Sequence, residues 1–280
     1  MIGNVAIVGV GLIGGSFGLA MKRAGFTGRI VGVSSPATVE AALARGAIDL
    51  ALPLAEAAGQ ADLIYLAQPI GRILDTLRRL DPLVRPDALV TDAGSTKREI
   101  VIAAAAHLTR CRFLGGHPMA GKEKRGVEAA EAGLFDGCTW VLTPRSPGDL
   151  DPDFIEWVVK IGARPVILDA AEHDRVVSFT SHLPQLVSTA LAATVGENLR
   201  EHLEVAGPGL ADTTRLALSS YGLWRDILAT NTAAIEGALT AYIAKLEHMR
   251  DNLRTRRLEE EFAAAAELVS RLRAQRSAAL

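Results

Sequence analysis

Cysteine is nearly absent from this chain of 280 residues: Cys111 and Cys138 are its only thiols, and no CxxC spacing occurs. A disulfide framework or a structural zinc site needs more than that, and free thiols suit a reducing compartment. Excess charge is lacking too. Thirty Lys and Arg against 32 Asp and Glu leave a formal net charge of −2, which does not supply the basic surface that nucleic-acid binding relies on. No uninterrupted apolar run reaches the roughly 20 residues of a membrane span. The apolar stretch at 2–20 has no basic leader and carries Asn4 and six glycines from Gly3 to Gly18. It reads as strand, turn and helix rather than as a signal peptide. The expectation is a soluble, cytoplasmic protein with no membrane or nucleic-acid partner.

What is present is ordinary globular material: 49% apolar and 22% charged residues, long enough for about two domains. Short runs rich in Val, Ile and Leu at 4–8, 29–33, 63–67, 88–91, 112–114, 140–143 and 165–168 read as strands buried on both faces of a sheet. The segments between them, such as 16–24, 37–45 and 96–107, read as helices. That alternation predicts βαβ units. After Asp169 no strand is expected, and 171–195, 203–218, 223–249 and 254–273 look helical. In the last of these, Leu258, Phe262, Ala265, Val269 and Leu272 recur at helical spacing. The predicted fold class is α/β, a Rossmann-type parallel sheet domain over 1–169 followed by an all-helical domain over 170–280. A helical second domain with broad apolar faces is expected to pair two-fold with a second copy.

Gly9-Val10-Gly11-Leu12-Ile13-Gly14 follows the first strand and opens the first helix, which is the context that gives a GxGxxG sequence its meaning. Gly9 allows the tight turn, Gly11 admits a pyrophosphate, and Gly14 lets helix and strand pack, while the N–H groups at Leu12 and Ile13 face the anion. Twenty residues after Gly14, Ser34 and then Ser35 stand where an NAD-selective site has a carboxylate for the ribose 2′-hydroxyl. Without that carboxylate a 2′-phosphate meets no repulsion, so the reading favours NADP, with NAD as the alternative.

Further motifs fall at strand ends and in the helical part: Asp92-Ala93-Gly94-Ser95-Thr96-Lys97, Gly115-Gly116-His117-Pro118-Met119-Ala120-Gly121, Ser181-His182-Leu183-Pro184, Asp212-Thr213-Thr214-Arg215 and Leu223-Trp224-Arg225-Asp226. In these residues and their order the sequence resembles the prephenate and arogenate dehydrogenase family of tyrosine biosynthesis, over nearly the whole chain. The resemblance implies oxidative decarboxylation of a cyclohexadienyl acid with hydride transfer to a nicotinamide cofactor. It implies His117 as the base that takes the ring hydroxyl's proton, a task suited to a neutral imidazole, and Ser95 as its partner. It also implies Arg215 as a carboxylate clamp, His182 as a second substrate contact, Glu123 as a gating residue, and Lys97 as a further contributor.

Each residue also has a plainer reading. Ser95 could be a helix N-cap, Arg215 an interface salt bridge, Trp224 core. No metal is expected, because His107, His173, His202 and His248 lack ligand spacing, and His173-Asp174 reads as a helix start. Leu210, Ala211, Lys122 and Gln185 depart from the family pattern and leave prephenate against arogenate open. The competing functions are a β-hydroxyacid-type dehydrogenase and a non-catalytic nucleotide sensor.

Overall fold

The strands β1 (Asn4–Val8), β2 (Arg29–Val33), β3 (Leu50–Ala51), β4 (Leu63–Leu66), β5 (Leu89–Asp92), β6 (Arg112–Pro118), β7 (Thr139–Pro144) and β8 (Arg164–Ile167) form one sheet. Its order is 3-2-1-4-5-6-7-8 in the computed structural model, which describes residues 2–199 and 201–277. The helices α1 (Leu12–Arg23), α2 (Pro36–Ala44), α3 (Leu54–Gln60), α4 (Ile70–Leu80), α5 (Arg98–His107) and α6 (Pro152–Lys160) connect the strands. One apolar cluster lies on each face of the sheet: Phe17, Tyr65, Trp140 and Phe154 belong to one, and Ile64, Ile73, Leu77 and Phe113 to the other. Strands covered on both sides explain why β4 and β5 are buried at every position.

The sheet corrects the sequence reading twice. The edge strand β3 was not expected; two residues are too few to carry a pattern. Nor is the sheet wholly parallel, because β7 runs antiparallel to β6, with His117 opposite Val141. A parallel return needs a crossover, usually helical. The chain between β6 and β7 instead folds over the ends of α1 and α2: the Ser16 hydroxyl accepts from Glu131 N–H at 3.0 Å, and Arg45 donates to the Ala130 carbonyl at 2.6 Å.

From Ala170 onward the described elements are all helical: α7 (Ala170–Val177), α8 (Leu183–Asn198), α9 (Pro208–Thr214), α10 (Tyr221–Thr230), α11 (Thr232–Asp251) and α12 (Glu259–Ser277). Three of the expected long helices are interrupted. A π-helical turn, Ser178–His182, separates α7 from α8; Pro184 has no N–H to donate, and the backbone widens just before it. Short 3-10 turns, Leu203–Val205 and Arg215–Leu218, bracket α9, and Asn231 divides α10 from α11. Residue 1 and residues 278–280, which fall in the expected division 1–169 and 170–280, lie outside the described residues.

Candidate active site

The first βα turn is built as a phosphate cradle. Gly9 has φ +94°, a left-handed conformation that suits glycine. A Cβ on Gly14 would stand 2.1 Å from the Gly9 carbonyl oxygen, so α1 can lie this close to the turn only with glycine there. A Cβ on Gly11 would meet open space, and α1 starts with neither a side-chain cap nor an acidic residue in its first turn. Its leading N–H groups are therefore left for an anion. Leu12 and Ile13 line an open cleft together with Gln68, Ser95, Lys124 and Arg125. These residues fit a dinucleotide. Ser34 is exposed at the end of β2, and Ser35 caps α2, its hydroxyl 2.8 Å from that of Thr38.

The helical part docks across the carboxyl ends of β4, β5 and β6. Asp226 on α10 accepts from the Gly71 N–H at 3.0 Å, and the Thr96 and Thr230 hydroxyls are 2.7 Å apart. Asp174 on α7 accepts from two N–H groups at the start of α5, Lys97 at 2.7 Å and Arg98 at 2.9 Å. Among these contacts lies a chain of imidazoles. His117 Nδ1 is 2.9 Å from His173 Nε2, and His173 Nδ1 is 2.7 Å from Asp174 Oδ1. The peptide carbonyl of Asp174 accepts from Asn231 at 2.8 Å, and the same amide nitrogen is 3.3 Å from His182 Nδ1. His173 and His182 are both buried.

Burial holds the His117 pKa well below the ordinary 6.5, with smaller electrostatic contributions from His173, Lys97 and His182 in the same direction. Burial likewise brings His182 down to about 4, against a smaller opposing pull from Asp174. Both rings are therefore neutral at neutral pH, as an acceptor of a proton or of a hydrogen bond must be.

The structure distributes the remaining sequence-predicted residues unevenly. Ser95 lines the dinucleotide cleft, and its hydroxyl makes no hydrogen bond to His117, whose recorded ring partner is His173. Arg215 and Glu123 face each other at 3.4 Å, both exposed, in an adjoining hollow that also takes in Lys122 and Arg125. Gln185 is buried and donates to the Leu216 carbonyl at 2.8 Å.

Lys97 is a correction. Its side chain is wholly buried, bonded to Asp92 and, at 2.8 Å, to the Gly116 carbonyl. It cannot reach a substrate. Asp92 in turn accepts from Gly94 N–H at 2.7 Å and Gly116 N–H at 3.1 Å, so the pair locks the end of β5 to the strand that presents His117. A Cβ on Gly116 would stand 2.6 Å from the Asp92 carbonyl oxygen, which is why glycine precedes the histidine.

His173 and Asp174 are the residues the sequence reading passed over. They lie midway along α7, whose start is capped by Asp169 rather than by this pair as expected, and they back His117. The adjacent His-Asp pair just beyond the last strand was the available signal.

Comparison with known proteins agrees with this geometry. The family model for the prephenate dehydrogenase nucleotide-binding domain matches residues 17–164, and that for the prephenate dehydrogenase dimerization domain matches 169–268. The chain belongs to the prephenate dehydrogenase family. It is 37% identical over 81% of its length to a prephenate dehydrogenase of Lactococcus lactis, of which it covers 65%. It is 35% identical over 88% of its length to that of Bacillus subtilis, of which it covers 69%. The chain thus spans about two thirds of the length of these curated relatives. Among solved structures it resembles the prephenate dehydrogenase of A. aeolicus in complex with hydroxyphenyl propionate and NAD+, with TM-score 0.86, 31% identity and 98% of each chain covered. Family membership accounts for the cradle and the fold together.

Proposed function

We propose that this chain is a prephenate dehydrogenase that converts prephenate to 4-hydroxyphenylpyruvate and carbon dioxide, passing hydride to a nicotinamide dinucleotide. The observation that carries the reading is a half-buried, neutral histidine, His117, on the strand beside the dinucleotide cleft: Ala120 and Gly121, three and four residues further along, line that cleft. A bound nicotinamide supplies the hydride acceptor. The chain's own residues handle the rest. As the hydroxyl-bearing ring carbon loses hydride, its oxygen gains carbonyl character and gives its proton to His117 Nε2. The bond to the ring carboxylate then breaks, carbon dioxide leaves, and the electron pair stays in the ring, which becomes aromatic as a phenolate. His117 returns the proton to the phenolate oxygen, so the base is regenerated and no net proton is taken up.

In this reading Ser95 orients the substrate hydroxyl from the wall of the cleft. Arg215 holds a substrate carboxylate through its planar fork of donors, and Glu123, 3.4 Å from it, gates the approach. His182 contacts a second polar group. Lys97 drops out as a ligand. Gly9, Gly11, Leu12, Ile13 and Gly14 receive the pyrophosphate, and Ser34 with Ser35 favours NADP over NAD because no carboxylate opposes a 2′-phosphate there.

Mixing the purified protein with prephenate or arogenate, against NAD or NADP, tests all of this at once. Reduced cofactor should appear fastest with prephenate and NADP. Silence in all four combinations, with cofactor binding shown separately, would sink the dehydrogenase reading. A preference for NAD would overturn only the cofactor choice.

The helical part would form the homodimer. Ile243 and Leu246 in the second half of α11, Leu253 just beyond it, and Phe262 and Val269 on α12 are exposed apolar side chains, and exposed apolar surface is what an association site needs. Light scattering at micromolar concentration should give about twice the 29.6 kDa chain mass; a monomer mass would refute the pairing. A cytoplasmic location fits the two free thiols, Cys111 and Cys138.

A further inference from the structure

The imidazole chain behind His117 has a direction. The Asp174 carboxylate only accepts hydrogen bonds. It takes the N–H groups of Lys97 and Arg98 and, on Oδ1, the Nδ1 of His173. His173 Nδ1 therefore carries the hydrogen, and in the neutral ring Nε2 is bare. Across 2.9 Å that nitrogen faces His117 Nδ1, the only hydrogen-bond partner recorded for the His117 ring among the described residues. A bare acceptor opposite Nδ1 requires the hydrogen of neutral His117 to sit on Nδ1, which leaves the Nε2 lone pair for the substrate.

We infer that His173, anchored by Asp174, is a positioning residue that fixes His117 in the Nδ1–H tautomer and spreads the charge arising when His117 Nε2 takes the proton. The inference rests on the dehydrogenase reading for its kinetic consequence, but not for its structural content. When His117 becomes an imidazolium, its Nδ1–H bond to His173 strengthens as a charge-assisted bond, and His173 relays that pull to the carboxylate. No atom has to leave the chain of three groups, because the proton on His117 Nε2 returns to the phenolate oxygen.

The arrangement is tied to the docking of the helical part on the sheet. His117 comes from β6, whereas His173 and Asp174 come from α7. The groups facing the pair are Lys97 and the start of α5 on one side, with the Lys97 ammonium neutralised by Asp92, and His182 and Asn231 on the other. Asp174 is the point where these elements meet. A pairing wholly within one element would orient the base whether or not the helical part was seated. Here the base acquires its tautomer only when the two parts are together.

Two measurements test this. Nitrogen-15 NMR of the histidine rings in the native protein should find His117 as the Nδ1–H tautomer; an Nε2–H tautomer would overturn the proposal, whatever the activity. His173→Phe keeps a ring of similar bulk but offers no acceptor, and should lower kcat by about 30-fold to 100-fold, with the KM for both substrates within about twofold and the His117 ring in mixed tautomers. His173→Gln can still accept through its amide oxygen, and should recover part of the lost kcat. It also serves as the test if the phenylalanine variant does not fold. Unchanged kcat in His173→Gln and His173→Phe, or a loss confined to KM, would refute the positioning role. If the native protein turns over no cyclohexadienyl acid, the functional reading fails, and the tautomer measurement still decides this one.

Discussion

Replacing His117 with Asn should lower kcat by about 10³-fold, the scale of a positioned general base, while leaving cofactor affinity nearly unchanged. The asparagine keeps a polar group of similar reach at the end of β6 but has no nitrogen that can take a proton at neutral pH. Cofactor binding is spared because the cradle at Gly9, Gly11 and Gly14 is formed by another strand. Cofactor titration beside steady-state kinetics separates the two effects. Loss of binding together with turnover would make His117 a structural residue. The native enzyme should also show a pH profile of definite sign. Burial keeps His117 neutral well below the ordinary pKa of 6.5, so the active, unprotonated form persists as pH falls. Turnover should be flat from about pH 8 to about pH 6 and decline only at lower pH. An acid limb centred near the ordinary histidine value would mean that the base is more solvated than the fold implies.

Lys97→Met should produce the largest loss of stability from a single side chain near the site. The ammonium and the Asp92 carboxylate are both wholly buried and bonded to each other. Removing one member of such a pair strands the other, at a cost of about 3–5 kcal/mol. Asp92 keeps its bonds from Gly94 and Gly116 N–H, so the lower end, about 3 kcal/mol, is expected. For a chain of this size that corresponds to a fall in the thermal midpoint of about 6–10 °C. Adding Asp92→Asn should restore part of the loss, because the stranded charge is then gone. Calorimetry of the three variants checks the sequence of values. An unaltered midpoint accompanied by a raised substrate KM would return Lys97 to the role of a ligand, which its burial denies.

Lys97 also illustrates why only part of the site was legible in the sequence. The run Asp92 to Lys97 stood out correctly as a strand-end motif. A lysine in such a motif reads as a substrate cation, since lysines are seldom fully buried unless paired. Its partner lies five residues earlier, and nothing in the spacing distinguishes a pair folded inward from two groups facing the cleft. His173 failed in the opposite direction. It was set aside because no metal spacing surrounds it, yet its function depends on a histidine 56 positions earlier on another element. The antiparallel β7 was likewise hidden, because strand direction follows from the path of the connection after β6 and not from the apolar residues within the strand.

The sequence by itself determined the α/β alternation, the nucleotide cradle at Gly9 to Gly14, the glycine-flanked placement of His117 at a strand end, and the helical character of the second part. Each rests on local information: residue periodicity, glycine placement, or a side chain's intrinsic chemistry. Tertiary structure decided the burial of Lys97 against Asp92, the division of the long helices at the π turn and at Asn231, and the junction of His117 with His173 and Asp174. Those features arise where elements distant in sequence exclude water together. Burial, hydrogen-bond partners and shifted pKa values belong to such contacts, so they came into being only when the helical part closed over the ends of the strands.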